Sequence, residues 1–159
     1  MSQESRFLST TNVLLIKDGS ILLMKRAANS EHFPGWYILP GGKQENSETP
    51  LQTAIRETYE ETGIKVEDPL LKVIATHYHE YKNTVYIVYI FSASKFVGNL
   101  TNSSEGEAVW MPVNEAIGSS TLFPDLKRHI NLIVSADTNT GLIYTYHRFN
   151  EKLEIVESL

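Results

Sequence analysis

The sequence predicts an α/β sandwich in which a mixed β-sheet lies between helices, and three observations lead to that class. A segment with strong helix-capping signals occupies 49–63, a second stretch with helical periodicity follows at 124–135, and strand-like runs flank both. Helices interspersed among strands in this order stack as layers on a sheet. The chain has 159 residues, a length at which one domain buries roughly two-thirds of its unfolded surface. No repeat, low-complexity tract or linker divides it, so a single domain over 1–159 is expected.

Phe7 to Ile16 and Ile21 to Arg26 read as strands joined by a tight turn at Asp18-Gly19. Glu31 to Tyr37, with Pro34-Gly35, is a loop that leads through a short strand into Leu39-Pro40-Gly41-Gly42. Those glycines let the backbone approach a ligand closely. Thr49, Pro50 and Gln52 then read as N-cap, first-turn proline and capping-box partner, and Gly63 as the left-handed stop. On this helix Leu51, Ile55, Thr58 and Thr62 are expected to form the inward side. Leu70 to Tyr81 and Thr84 to Ala93 are strands around Lys82-Asn83, and Asn99 to Gly106 is a polar loop. Ala108 to Met111 is a short strand and Val113 to Ile117 a helical turn. Pro124 to Ser135 is helical through Leu126, Ile130, Ile133 and Val134. Leu142 to Phe149 and Leu153 to Val156 close the chain as a hairpin about Asn150-Glu151.

Hydrophobic residues make up 42% and charged residues 21%, as in ordinary soluble globular proteins. Fourteen basic against 19 acidic residues give a net charge of −5, which argues against long nucleic acid as a partner. A small-molecule nucleotide remains compatible, because a few cations and a metal can serve a phosphate locally. The absence of cysteine excludes disulfides, thiolate metal sites and a cysteine nucleophile. The first residues lack the apolar core of a secretory signal, and the longest apolar runs are too short to span a bilayer. A cytoplasmic protein with no membrane partner is expected, either monomer or homodimer.

The most informative stretch is Gly42 to Ile64. Glu57, Glu60 and Glu61 stand at i, i+3 and i+4, so at about 100° per residue they share one helix face. Like charges so placed repel, at a few tenths of a kcal/mol per pair. A bound divalent cation would offset that repulsion, and Mg²⁺, with Mn²⁺ as substitute, favours carboxylate and carbonyl oxygens together with substrate phosphates.

The pattern Gly42-x5-Glu48-x7-Arg56-Glu57-x2-Glu60-Glu61-x-Gly63-Ile64 resembles the Nudix box, with each charged and glycine position filled. Thr58 stands where that family prefers an aliphatic residue. The resemblance implies a Nudix-type α/β/α sandwich that hydrolyses a nucleoside diphosphate linked to another moiety, using Mg²⁺ or Mn²⁺. It implies Glu60 and Glu61 as metal ligands, Glu57 as ligand or general base, and the Gly41 carbonyl as a further ligand. Arg56 would orient the carboxylates, and Glu48 would tie the loop to the helix.

Glu105-Gly106 before Trp110-Met111-Pro112 is similar to a Glu-Gly-x3-Trp segment of MutT-like Nudix enzymes. That similarity makes Glu105 a candidate for an additional metal ligand or base, with Glu107 in reserve. Phe123-Pro124-Asp125 resembles the Trp-Pro-Asp of relatives that act on oxidised purine triphosphates, where the acid reads the purine edge. Here the aromatic is Phe, and Leu126 replaces a second aspartate of that group. The terminal hairpin is also similar to the end of that group. Trp36, Tyr37, Phe33 and Phe123 are candidate base-stacking residues, and Lys25 and Arg26 candidate phosphate contacts.

His77 and His79 share one side of a strand, a spacing compatible with a transition metal, but no third ligand is evident in sequence. No serine stands in a G-x-S-x-G context. The expected reaction is cleavage of a nucleoside triphosphate, 8-oxo-dGTP being one example, to monophosphate and pyrophosphate. The alternatives are hydrolysis of a dinucleoside polyphosphate, for which Tyr81 is weakly suggestive, or of ADP-ribose, or a catalytically silent nucleotide sensor.

Overall fold

Local signals decide the boundaries of the central helix. The computed structural model describes residues 4–31, 33–136 and 140–159, and in it helix α1 runs Pro50–Thr62. The Thr49 side chain accepts from the Gln52 amide, and the Gln52 side chain accepts from the Thr49 amide at 2.8 Å. Gly63 ends the helix at φ 73, its N–H donating to the Tyr59 carbonyl.

The buried face of α1 keeps Thr58 and Thr62 as expected but not Leu51. Thr53, Ala54, Thr58, Glu61 and Thr62 are buried, whereas Leu51 is 41% exposed. Small residues let the helix approach the sheet closely, and two of the threonine hydroxyls are satisfied on the spot. Thr53 Oγ1 lies 3.2 Å from the Thr49 carbonyl, and Thr62 Oγ1 donates to that of Thr58. The Thr58 hydroxyl itself has no partner among the described residues.

The strands are β1 (Arg6–Lys17), β2 (Ser20–Arg26), β3 (Tyr37–Ile38), β4 (Lys65–Glu67), β5 (Leu70–His79), β6 (Thr84–Ala93), β7 (Lys95–Val97), β8 (Gly106–Pro112), β9 (Ile143–Phe149) and β10 (Ile155–Ser158). The main sheet has the order β10-β9-β5-β6-β1-β2-β3, with β8 paired to β2. β1 runs parallel to β6 and β5 parallel to β9, while the other pairs are antiparallel, so the sheet is mixed as expected.

Val13 and Leu15 pack with Leu22, Met24, Ala54 and Phe91 on the α1 side. Leu14, between them, packs on the other side with Leu23, Val73, Ile90 and residues of α2 (Val113–Gly118) and α3 (Leu126–Val134). Helices therefore cover both faces. Within α3, Leu126, His129, Ile130 and Ile133 point inward, while Val134, expected inside, is 44% exposed.

Three further departures from the sequence reading concern pairing. The first two strands form a hairpin only at its tip, where Ile16 meets Ile21 and Lys17 meets Ser20. Beyond the tip they diverge, and the glycine loop enters beside β1. Val13 N–H donates to the Pro40 carbonyl and Thr11 N–H to that of Gly42, both at 2.9 Å. A short β4–β7 ribbon, three residues per strand, carried no sequence signal. The strand expected through Tyr81 stops at His79, and Glu80–Lys82 forms a 3₁₀ turn.

Candidate active site

The glycine loop and α1 meet because no side chain stands between them. A β-carbon on Gly41, whose φ is 150, would lie 2.0 Å from the Thr11 carbonyl oxygen. One on Gly42 would lie within 2.5–2.7 Å of the Glu57 carboxylate. The Gly41 N–H donates to Glu61 Oε2 at 2.9 Å, which fixes the buried carboxylate against the loop. The β1 ladder takes the carbonyls of Pro40 and Gly42 and skips that of Gly41.

Arg56 organises the carboxylates from the side. Its Nε donates to Glu48 Oε1 at 2.6 Å and its Nη2 to Glu48 Oε2 at 2.8 Å, a two-pronged pair. Its Nη1 reaches Glu57 at 2.8 Å and Glu60 at 3.1 Å. Thr53 adds a hydroxyl to Glu48 at 2.8 Å. The Arg56 guanidinium, with this hydroxyl, holds the Glu48 carboxyl down at about 2. Glu48 thus ties the loop to the helix, and Arg56 spans Glu48, Glu57 and Glu60.

Glu61 and Glu57 resist ionisation. Glu61 is 5% exposed, and burial pushes it up to about 8, with the negative charges of Glu105 and Glu57 adding to the shift. Opposing this are the Gly41 hydrogen bond and the nearby positive charge of Arg26. Glu57 is raised as well, first by burial, with Arg56 opposing and Glu60 and Glu105 adding repulsion. Glu60 is exposed at the rim.

Glu105, from the loop before β8, therefore belongs to the same electrostatic cluster. Its backbone is fixed there because Ala27 N–H, just beyond β2, donates to the Glu105 carbonyl at 2.9 Å. Glu107 lies opposite Lys25 within the β2–β8 ladder and is absent from the groups that perturb Glu57 and Glu61. Glu105→Gln is expected to move the midpoint of pH-dependent Mn²⁺ binding to lower pH, because one like charge beside Glu61 is gone. Glu107→Gln should leave it unchanged; calorimetric titrations across pH check both. Four acids beside a glycine cradle, two of them (Glu57 and Glu61) raised first by burial, fit a hard divalent cation.

Three of the aromatic candidates, Phe33, Trp36 and Phe123, cluster together. Phe33 sits 5.4 Å from Trp36 and 4.7 Å from Phe123, between ring centroids. The segments are stitched by Tyr37 N–H to the Thr121 carbonyl at 2.8 Å and Phe123 N–H to the Tyr37 carbonyl at 3.0 Å. Lys25 stands over the Tyr37 ring at 5.9 Å, and Arg26 N–H donates to the Trp36 carbonyl. Arg26 thus adjoins Trp36 through its backbone, and its positive charge acts on Glu61. Tyr81 is 40% exposed on the 3₁₀ turn, beside His79.

Asp125, the acid that the resemblance implies for base reading, is tied to histidines. It is 2% exposed, with Oδ2 at 3.0 Å from His77 Nε2 and 3.4 Å from His129 Nδ1. The neighbouring histidines lower its pKa against the effect of burial. Burial holds His129 down at about 4 and also lowers His147. His79 does not join this group; it lies against Phe149 and Tyr86, and burial lowers it to about 4. The sequence offers no evident third partner for the His77–His79 pair. The fold supplies Asp125 and His147 beside His77 instead.

A glycine loop set against an acid-lined helix, on a mixed sheet covered by helices on both faces, defines a class. The chain belongs to the Nudix family, whose NUDIX domain model matches residues 6–133. It is 33% identical over 109 residues to the uncharacterized Nudix hydrolase YvcI of Bacillus subtilis, with 66% of each chain covered. It is 38% identical over 111 residues to a MutT-like protein of Streptomyces ambofaciens, covering 67% of this chain and 64% of that one. The matched part thus spans under two-thirds of the latter relative. The crystal structure of a MutT protein from Bacillus halodurans superposes with a TM-score of 0.84 at 24% identity, covering 96% of both chains, which shows the shared fold. Among the described residues no helix is long and apolar enough to cross a membrane.

Proposed function

We propose that this chain is a Mg²⁺-dependent pyrophosphohydrolase that cleaves a nucleoside triphosphate, oxidised purine nucleotides such as 8-oxo-dGTP among its substrates, to monophosphate and pyrophosphate. The observation that carries this reading is the convergence of Glu57, Glu61 and Glu105, with Arg26 beside them and the Gly41 cradle behind. Glu57, Glu60, Glu61, Glu105 and the Gly41 carbonyl would hold the cation, with Mn²⁺ able to replace Mg²⁺. When bound, it polarises phosphate oxygens and favours ionisation of the attacking water.

The chain's own residues do the rest. Arg56 fixes the rotamers of Glu57 and Glu60 through its hydrogen bonds. Glu57 serves either as a ligand of the cation or, where it is left unligated, as the proton acceptor from water. Arg26 faces the substrate phosphates, and Trp36, Phe33 and Phe123 offer aromatic surface to the base. Asp125 is engaged by histidines and is not assigned a direct base contact. The protein acts as a single domain in the cytoplasm, on small nucleotides.

The test is an assay with Mg²⁺ and a nucleotide panel containing triphosphates, oxidised purine triphosphates, dinucleoside polyphosphates and ADP-ribose. Monophosphate and pyrophosphate released from a triphosphate are expected. Tight binding of one nucleotide with no product from any of them would replace the enzyme by a sensor.

A further inference from the structure

A second cluster lies away from the carboxylates, on the sheet face covered by α3. His77 on β5 and His147 on β9 are direct partners in the parallel register of those strands. Asp125 stands immediately before α3. One ligand atom from each of the three falls within 4.8 Å of the others, and the residues are 7%, 1% and 2% exposed, respectively for His77, His147 and Asp125.

Hydrogen bonding within the protein leaves this cluster incomplete. Oδ2 of Asp125 faces His77 and His129, and His129 Nε2 is spoken for by Thr145 Oγ1 at 3.0 Å. Asp125 Oδ1 and both ring nitrogens of His147 have no partner among the described residues. Buried polar groups left without a partner are costly, so three together call for a ligand.

We propose that His77, His147 and Asp125 bind a divalent transition-metal ion of the Zn²⁺ kind, at a site separate from the box carboxylates. Two imidazoles and one carboxylate are a borderline donor set that selects such ions over Mg²⁺. Ligands at about 2.1 Å from a tetrahedral ion lie about 3.4 Å apart, so rotamer adjustments of about an ångström close the site. His129, whose Nε2 meets Thr145 Oγ1 and whose Nδ1 lies 3.4 Å from Asp125 Oδ2, would be the outer neighbour of the carboxylate. The ion would pin β5, β9 and the start of α3 together behind Phe123 and Phe149, the latter 5.2 Å from the His77 ring.

The experiment uses the full chain stripped with chelator, then titrated with Co²⁺ in the presence of excess Mg²⁺, which occupies the harder carboxylate site. One equivalent of Co²⁺ with visible ligand-field bands is expected, unchanged in Glu60→Gln and at least about tenfold weaker in His77→Gln and His147→Gln. Absence of the bands, bands unaffected by either histidine change, or bands lost in Glu60→Gln would overturn the site. Should the histidine variants fail to fold, ring ¹⁵N shifts in the wild-type chain decide. Zn²⁺ must move His77 and His147 while leaving His79 in place, and unmoved rings refute the proposal.

Discussion

Glu60→Gln is expected to lower turnover by more than about a hundredfold while leaving the fold unchanged. Even outer partners of metal ligands cost about 10–100-fold when removed, and Glu60 is assigned to the ligand set itself. Its structural debt is small, because its side chain is 57% exposed and its ion pair is with Arg56 at 3.1 Å. Exposed i,i+4 pairs contribute about 0.3–0.5 kcal/mol, so the melting temperature should hardly move. Steady-state kinetics with circular dichroism on the same preparation measure both. A variant near the wild-type rate would remove Glu60 from the site.

The second large effect is a stability that depends on pH and metal together. In the folded, metal-free chain Glu61 is raised from 4.5 to about 8, first by burial. Its folded form therefore holds a proton more tightly than its unfolded form. This contribution is fully present below about 4.5 and is lost as pH rises through about 8. At about 1.4 kcal/mol per pH unit, the loss is on the order of a few kcal/mol. Thermal melts of the chelated chain should show Tm falling between pH 5 and 9, and saturating Mg²⁺ or Mn²⁺ should restore it at the alkaline end. Glu61→Gln keeps the acceptor for the Gly41 N–H without the titration. It should flatten the metal-free profile and abolish the metal-induced rise, while losing activity. A metal-free profile as steep in Glu61→Gln as in wild type would assign the linkage to another group.

The parts legible in sequence were those governed by neighbours along the chain. Thr49, Pro50, Gln52 and Gly63 bound α1 because caps act within one turn. Arg56 met Glu48, Glu57 and Glu60 because loop and helix are contiguous. Inward-facing residues were harder to read. Leu51 looked like core but is exposed, whereas Thr58 and Thr62 are buried as expected and Thr53 and Ala54 join them, since close helix–sheet contact favours small side chains.

Contacts set by strand pairing were illegible. β1 and β2 looked like a full hairpin, but the glycine loop displaces β2 from most of β1, and this is what sets Gly41 beside Glu61. The His77–His147 pair is separated by seventy positions and exists only because β5 and β9 run parallel in that register. The i,i+4 spacing of Asp125 and His129 was the one local hint of a polar cluster under α3.

Calorimetric titration of the chelated chain with Mn²⁺ near pH 7, in two buffers of different ionisation enthalpy, reaches the central claim most directly. The account predicts saturable uptake at the box carboxylates with about one proton released per ion, because Glu61 is still protonated below about 8 and must yield to the cation. Glu61→Gln should lose that proton release. Saturable uptake without any buffer dependence, or no uptake at all, would contradict a cation held between Glu61 and the glycine loop.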